Sequence, residues 1–302
     1  MKKTTLLRNA LKKPGLLIVP MVYDALMARC VEAVGFKVAF MTGAGFRRAV
    51  LGEPDIGIAT MTEAIANVKL IANAVNIPLI ADMDDGFGHA LHAYRTTQEM
   101  IRAGGAGMFI SDRKPAVHPS VENKPGGHAL VECYSKEEYL GKMGAVLEAR
   151  DSLDKDFVVI ARLDSGALLG DEEVLARAKA CVKLGVDVIL PHFIPAGSKF
   201  GIRDKETMKR LHKKIGAPDV LIWGMGPPGF TAKDYEDVGA KLWVHGSPPF
   251  VKVALEYYQE FHDKRALPKV GWNSPLVGPA AERYHKLEGL DFWSDIEKKY
   301  MK

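Results

Sequence analysis

The chain has 302 residues, 47% of them hydrophobic, enough for one large barrel or two ordinary domains around a buried core. Its 41 basic and 37 acidic residues leave a formal charge of +4 spread along the sequence, which gives no electrostatic footprint for a nucleic acid. Cys30, Cys133 and Cys181 are too far apart for a disulfide framework or a thiolate metal site, and no stretch reaches the ~20 apolar residues that span a bilayer; a reducing, cytoplasmic setting is expected, with no membrane partner.

The amino terminus, Met1 to Arg8, opens like a signal peptide, but Arg8, Lys12 and Lys13 fall where an unbroken apolar segment belongs. Short runs rich in Val, Ile and Leu then recur: Leu16 to Pro20, Lys37 to Met41, Pro78 to Asp82 and Gly107 to Ser111. Phe157 to Arg162, Val186 to Leu190, Val220 to Trp223 and Leu242 to His245 complete the set. Mostly continuous apolar runs mark strands covered on both faces, as a parallel sheet with helical crossovers requires. Between them, Asp24 to Val34, Thr62 to Val75, Thr96 to Ala103, Lys136 to Arg150, Asp171 to Leu184, Lys205 to Ile215 and Ala232 to Val238 carry helical spacing. Apolar-Gly pairs such as Val34-Gly35 and Leu184-Gly185 supply helix stops before the next strand. The alternation predicts an α/β fold, a (β/α)8 TIM-type barrel over residues 1–266. Two regions exceed it: Asp112 to Ser135, read as a long active-site loop, and 267–302, a proline-rich stretch and an aromatic helical extension expected to pack on a neighbouring subunit.

In such a barrel the chemistry sits at the carboxyl ends of the strands. Those exits carry Tyr23, Thr42-Gly43-Ala44-Gly45, Asp82-Met83-Asp84-Asp85-Gly86, Ser111-Asp112, Arg162, His192 and His245. Asp82 and Asp84 are oxygen ligands for a hard divalent cation. The Gly43 to Gly45 turn offers backbone N–H groups to a carboxylate, and Arg162 can grip a carboxylate or an oxyanion or else pair with Asp164. His192 and His245 are either substrate contacts or hydrogen-bonded structural histidines. There is no GxGxxG, Walker or HExxH motif to support nucleotide, hydride or zinc chemistry.

Tyr23-Asp24-Ala25-Leu26-Met27-Ala28-Arg29, the Thr42 to Gly45 turn, Leu51-Gly52-Glu53-Pro54-Asp55, Ala81 to Gly88 and Ile160-Ala161-Arg162-Leu163-Asp164 together resemble the isocitrate lyase and phosphoenolpyruvate mutase superfamily, closest to its short members. The resemblance runs from about Gly15 to Leu190 and weakens afterwards. It implies a Mg2+ or Mn2+ ion near Asp82, with Asp84 and Asp55 around it, and a small 2-oxo or 2-hydroxy carboxylate cleaved at a carbon-carbon bond through an enolate. It also implies a homotetramer that exchanges a C-terminal helix. Phosphorus-carbon chemistry on a phosphonopyruvate-like substrate and a non-catalytic carboxylate-binding barrel are the alternatives.

Two departures from that pattern matter. Ser111-Asp112 stands where the family has Glu-Asp, so Asp112 or Asp85 takes over as an additional metal ligand or the ion is held more weakly. Lys124-Pro125-Gly126-Gly127-His128 stands where isocitrate-type lyases carry the loop cysteine that protonates the product. His128 then becomes the candidate acid, with Cys133, Tyr134 or Asn123 as substitutes. The expected catalytic set is Arg162, His128 and Asp55, and the metal set is Asp82, Asp84 and Asp112.

Overall fold

The computed structural model describes residues 1–55, 57–114, 132–165, 169–191, 205–215, 221–223, 231–245, 253–256, 258–259, 287 and 290–300. Its centre is a sheet of eight parallel strands: β1 Leu17–Val22, β2 Ala39–Met41, β3 Leu79–Asp82, β4 Gly107–Ser111, β5 Val158–Leu163, β6 Val188–Pro191, β7 Leu221–Trp223 and β8 Leu242–His245. The order is β6-β5-β4-β3-β2-β1-β8-β7, and β6 lies beside β7 at the seam, so the sheet curls into the (β/α)8 barrel that the alternation predicts. All eight predicted runs become strands, shifted by no more than two residues at most ends.

Helices alternate with the strands: α1 Lys3–Lys12, α2 Ala25–Val34, α3 Met61–Ala74, α4 Ala90–Arg102, α5 Lys136–Leu153, α6 Asp171–Leu184, α7 Lys205–Ile215, α8 Ala232–Asp237 and the terminal α9 Leu290–Tyr300. Their boundaries follow local chemistry. Thr60, two residues before the expected start, caps α3 reciprocally with Glu63, and Ser135 does the same for α5 with Glu138. Gly35 ends α2 at φ 100°, a left-handed conformation that a side chain resists. Helix α4 begins at Ala90, six residues before the expected start, because the His89 side chain caps it by accepting from Leu91 N–H.

Strand alternation sorts the apolar residues into two cores. Val19, Phe40, Ile80, Phe109, Ile160, Val188, Leu190 and Val244 fill the barrel, while Met41, Ala81, Met108, Val159 and Ile189 pack outward against the helices. Helix α1, which the sequence presents only as an interrupted leader, closes the amino end of the barrel. Leu7 and Leu11 join the interior core, and the Arg8 guanidinium donates to the Asp156 and Phe157 carbonyls and pairs with Asp187. The closure leaves the carboxyl end as the open face. The proposed boundary at 266/267 lies outside the described residues.

Candidate active site

The inward-facing residues change from apolar to polar one step above the core. Ile80 is followed inward by Asp82, Phe109 by Ser111 and Ile160 by Arg162, so an acid, a hydroxyl and a guanidinium from adjacent strands share the barrel mouth. Phe40 and Phe109 stack with ring centroids 5.4 Å apart, and the Arg162 guanidinium lies 5.2 Å from the Phe109 ring, which floors the site. Arg162 Nη1 is 4.0 Å from Asp82 Oδ2, and its Nε donates to Asp164 at 3.1 Å. Asp164 also accepts from Ser111 Oγ at 2.5 Å. Of the two roles the sequence leaves open for Arg162, the structure shows the pairing with Asp164, and it also turns the guanidinium toward Asp82.

The turn after β2 forms the adjacent wall. Thr42 starts a one-turn helix, Gly43–Gly45, by accepting from Gly45 N–H, and the chain continues as a π-helical turn over Phe46–Leu51. The N–H groups of Gly43 and Ala44 fall in the first turn, where no intrahelical acceptor exists. Close packing requires the glycines. A Cβ on Gly43 would meet Asp82 Oδ2 at 2.7 Å, and one on Gly45 would meet Tyr23 Cβ at 3.0 Å. The turn Thr42 to Gly45 thus sets Gly43 against Asp82 and Gly45 against the buried Tyr23.

Asp84 takes a left-handed conformation, φ 50°, which turns the chain back over the site, and its N–H donates to Asp82 Oδ1 at 2.9 Å. Burial, reinforced by the charge of Asp84, raises the pKa of Asp82, against the pull of Arg162 and Arg47. Arg47 is the residue that sequence reasoning missed. It lies in the π-helical turn, is 4% exposed, and pairs with both Asp55 and Asp84. Burial opposes its charge, but Asp84, Asp82 and Asp55 outweigh that effect and raise its pKa. The only hint in the sequence is an Arg-Arg pair directly after a glycine turn, which reads equally well as an exposed helix face.

The other predicted residues are distributed differently. Asp112 follows the inward Ser111 and points away from the barrel mouth. Its carboxylate is fully buried, accepts from Asp164 N–H at 2.7 Å and Ser165 N–H at 3.2 Å, and pairs with Arg177 of α6 at 3.1 Å. The expected metal ligand is therefore placed as a backbone anchor behind Arg162; its pKa is raised to about 6 by burial and by Asp164. Asp85 is also engaged elsewhere, accepting from Lys142 Nζ at 3.2 Å and from the Tyr134 hydroxyl at 2.8 Å. Neither Asp112 nor Asp85 thus takes the place of a carboxylate at position 111, where the Ser111 hydroxyl instead meets Asp164.

His245 follows the outward Trp243 on β8, is exposed, and meets the Trp243 ring edge-on with centroids 4.3 Å apart, so the strand places it outside the barrel interior. His128, Asn123 and His192 lie outside the described residues. Of the substitute acids, the Cys133 thiol is pushed up to about 12 by burial and by Asp112 and Asp164, and the Tyr134 hydroxyl donates to Asp85 at 2.8 Å. Both groups hold their protons at neutral pH.

A family model for phosphoenolpyruvate phosphomutase matches residues 7–263. A 2,3-dimethylmalate lyase of Eubacterium barkeri is 34% identical over 242 residues, covering 79% of this chain and 78% of the relative. Among solved structures, oxaloacetate acetylhydrolase in complex with its product oxalate matches with a TM-score of 0.84 and 27% identity, covering 100% of this chain and 99% of the other. A phosphonopyruvate hydrolase in complex with oxalate and Mg2+ matches with a TM-score of 0.79 and 26% identity over 100% of both chains.

Proposed function

Because the chain belongs to the phosphoenolpyruvate phosphomutase family, we propose that it is a carbon-carbon lyase acting on a small 2-oxo or 2-hydroxy carboxylate. The observation that carries this reading is the convergence of Asp82, Arg162 and the Gly43 turn at the open mouth of the barrel. Two relatives act on compounds of this type by their descriptions, 2,3-dimethylmalate and oxaloacetate.

The donor types suit the ion that the family implies. Asp82, Asp84 and Asp55 present carboxylate oxygens of the kind hard cations take, and buried Asp82 faces Arg162 at 4.0 Å, although with Arg47 on Asp84 and Asp55 no three such groups among the described residues stand together as a ready cation site. Mg2+ or Mn2+ would be held by Asp82 and Asp84 with Asp55 beside them, and when bound it supplies Lewis-acid polarisation of substrate oxygens. Asp112 is left out of this set because Arg177 and two amides already engage it.

The chain's own groups do the rest. The first-turn amides at Gly43 and Ala44 receive the substrate carboxylate, with Tyr23 and Thr42 packed behind them. A bond to C3 breaks and leaves its electron pair as an enolate. Arg162, held in one orientation by Asp164, faces the enolate oxygen and stabilises the developing charge. His128 then delivers a proton to carbon, or the enolate leaves the site and is protonated by water. Decarboxylation of a 2-oxo acid fits this sequence of events as it stands, and retro-aldol cleavage of a 2-hydroxy acid fits it with a carboxylate of the Asp55, Asp82 and Asp84 cluster taking the C2 hydroxyl proton.

The direct test is a screen of 2-oxo and 2-hydroxy diacids with Mg2+ present, read by release of pyruvate, glyoxylate or oxalate. Turnover that EDTA abolishes is expected on at least one. The likeness to phosphonopyruvate hydrolase favours a second reading, cleavage of a phosphorus-carbon bond, which phosphate release from phosphonopyruvate would reveal. Silence on every compound, with ligand binding indifferent to EDTA, would leave only a carboxylate-binding barrel.

The assembly is proposed to be a homotetramer. Phe292, Ile296 and Tyr300 of α9 recur at intervals of four and are exposed, forming an apolar stripe that a second copy would cover. Light scattering at micromolar concentration is expected to give a mass well above one chain, and a monomeric mass would exclude this arrangement. No described helix is long and apolar enough to cross a membrane, and all three cysteines are unbridged. The unbridged cysteines support a cytoplasmic placement.

A further inference from the structure

The guanidinium of Arg47 stands where a divalent cation would find its ligands. It pairs with the carboxylates of Asp55 and Asp84, the latter a proposed ligand of the ion. The third acid is close as well: the Cβ position of Gly43 lies 2.7 Å from Asp82 Oδ2 and 3.1 Å from Arg47 Nη1, so both groups press on the same point. Arg47 is 4% exposed, and its Nε, fully shielded from solvent, has no hydrogen-bond partner among the described residues. A buried donor without an acceptor is costly, so the position Arg47 holds is not one in which all its hydrogen bonds are met.

Charge makes the two occupants alternatives. Arg47 is the cation paired with Asp55 and Asp84, while Arg162 is shared between Asp82 and Asp164. Adding a divalent ion beside a guanidinium on the same oxygens brings two cations into contact inside a poorly solvated site. The same π-helical turn has Arg48, Ala49 and Val50 exposed, so Arg47 lies one residue from the solvent-facing side of its turn. A π-turn is a local irregularity of the kind often found at functional sites.

We propose that Arg47 is an intramolecular competitor for the divalent cation: it closes the carboxylate cluster in the ion-free protein and must leave Asp84 and Asp55 for the ion to bind. The proposal rests on the assignment of the Asp82 cluster as the cation site. The cost of displacing Arg47 then lowers the apparent affinity for the ion, and it adds to the weakening expected from serine at position 111.

The test measures Mn2+ binding to the full, metal-stripped chain by the electron paramagnetic resonance signal of free Mn2+, at fixed pH and ionic strength. Arg47→Gln is expected to bind Mn2+ more tightly than wild type by about 5–150-fold, the usual range of coupling between two sites. Asp82→Asn is expected to remove binding in either background. Equal or weaker binding by Arg47→Gln, with Asp82→Asn still abolishing the signal, overturns the competitor while keeping the cation site. Binding that is absent throughout, or indifferent to Asp82→Asn, overturns the cation site and the competitor with it. If Arg47→Gln does not fold, Arg47→Met, which removes the charge and keeps an unbranched stem in the buried position, takes its place. That variant is expected to show the same tightening, and its absence counts against the proposal.

Discussion

Arg162→Met is expected to lower kcat by about 10²–10³-fold, the range found when a preorganised donor to developing charge is removed. The expectation follows from how the side chain is held. Arg162 Nε is fixed by Asp164, Asp164 is fixed by Ser111 and by the grip of Asp112 on its backbone, and Arg162 Nη1 faces Asp82 at 4.0 Å. A guanidinium constrained in this way needs no reorganisation when the enolate forms. Arg162→Lys keeps the charge but loses the planar fork, so an intermediate loss of kcat is expected. Steady-state kinetics on the substrate found by the screen, taken well below the melting temperature of each variant, separates catalysis from folding. A kcat within tenfold of wild type for Arg162→Met would reduce Arg162 to a structural partner of Asp164.

Arg177→Met is expected to destabilise the protein by about 3–5 kcal/mol, because it strands a fully buried carboxylate. Arg177 itself is 2% exposed, and with it gone Asp112 keeps two backbone N–H donors but no countercharge. Adding Asp112→Asn removes the orphaned charge, so the double variant is expected to recover a large part of the loss. Equilibrium urea unfolding of the two variants and wild type measures both effects. A loss below about 1 kcal/mol for Arg177→Met, the level of an exposed pair, would mean that Asp112 is free to serve elsewhere, including at an ion.

Both experiments concern residues whose positions were only half legible in the sequence. Arg162 was recognisable because it ends a strand run, and strand alternation places it on the same inward face as Ile160. Asp112 was misplaced for the same reason. One residue beyond Ser111 it falls on the opposite face, where α6 brings Arg177 to meet it. A one-residue step reverses a side chain in a strand, and the sequence alone does not say where the strand stops counting. His245 is a second instance, since the residues inside β8 are Leu242 and Val244.

The charged residues on helices were less legible still. Lys142 and Arg177 have the spacing of ordinary helix residues, yet both are buried, one against Asp85 and the other against Asp112. Arg47 lies among Asp55, eight residues further on, and Asp82 and Asp84, which come from the exit of the next strand. Nothing local distinguishes a charge that faces water from one that meets a partner dozens of residues away.

By itself the sequence determined the barrel, because continuous apolar runs alternating with capped helical segments have few other ways to bury their faces. It also determined that an acid cluster with glycine turns lies at the carboxyl ends of the strands. The tertiary structure alone decided which acids share the mouth with Arg162, which are held by Lys142 and Arg177, and that Arg47 stands among the carboxylates. Those outcomes depend on register and on contacts between distant segments, which fix charge pairing only once the strands have closed.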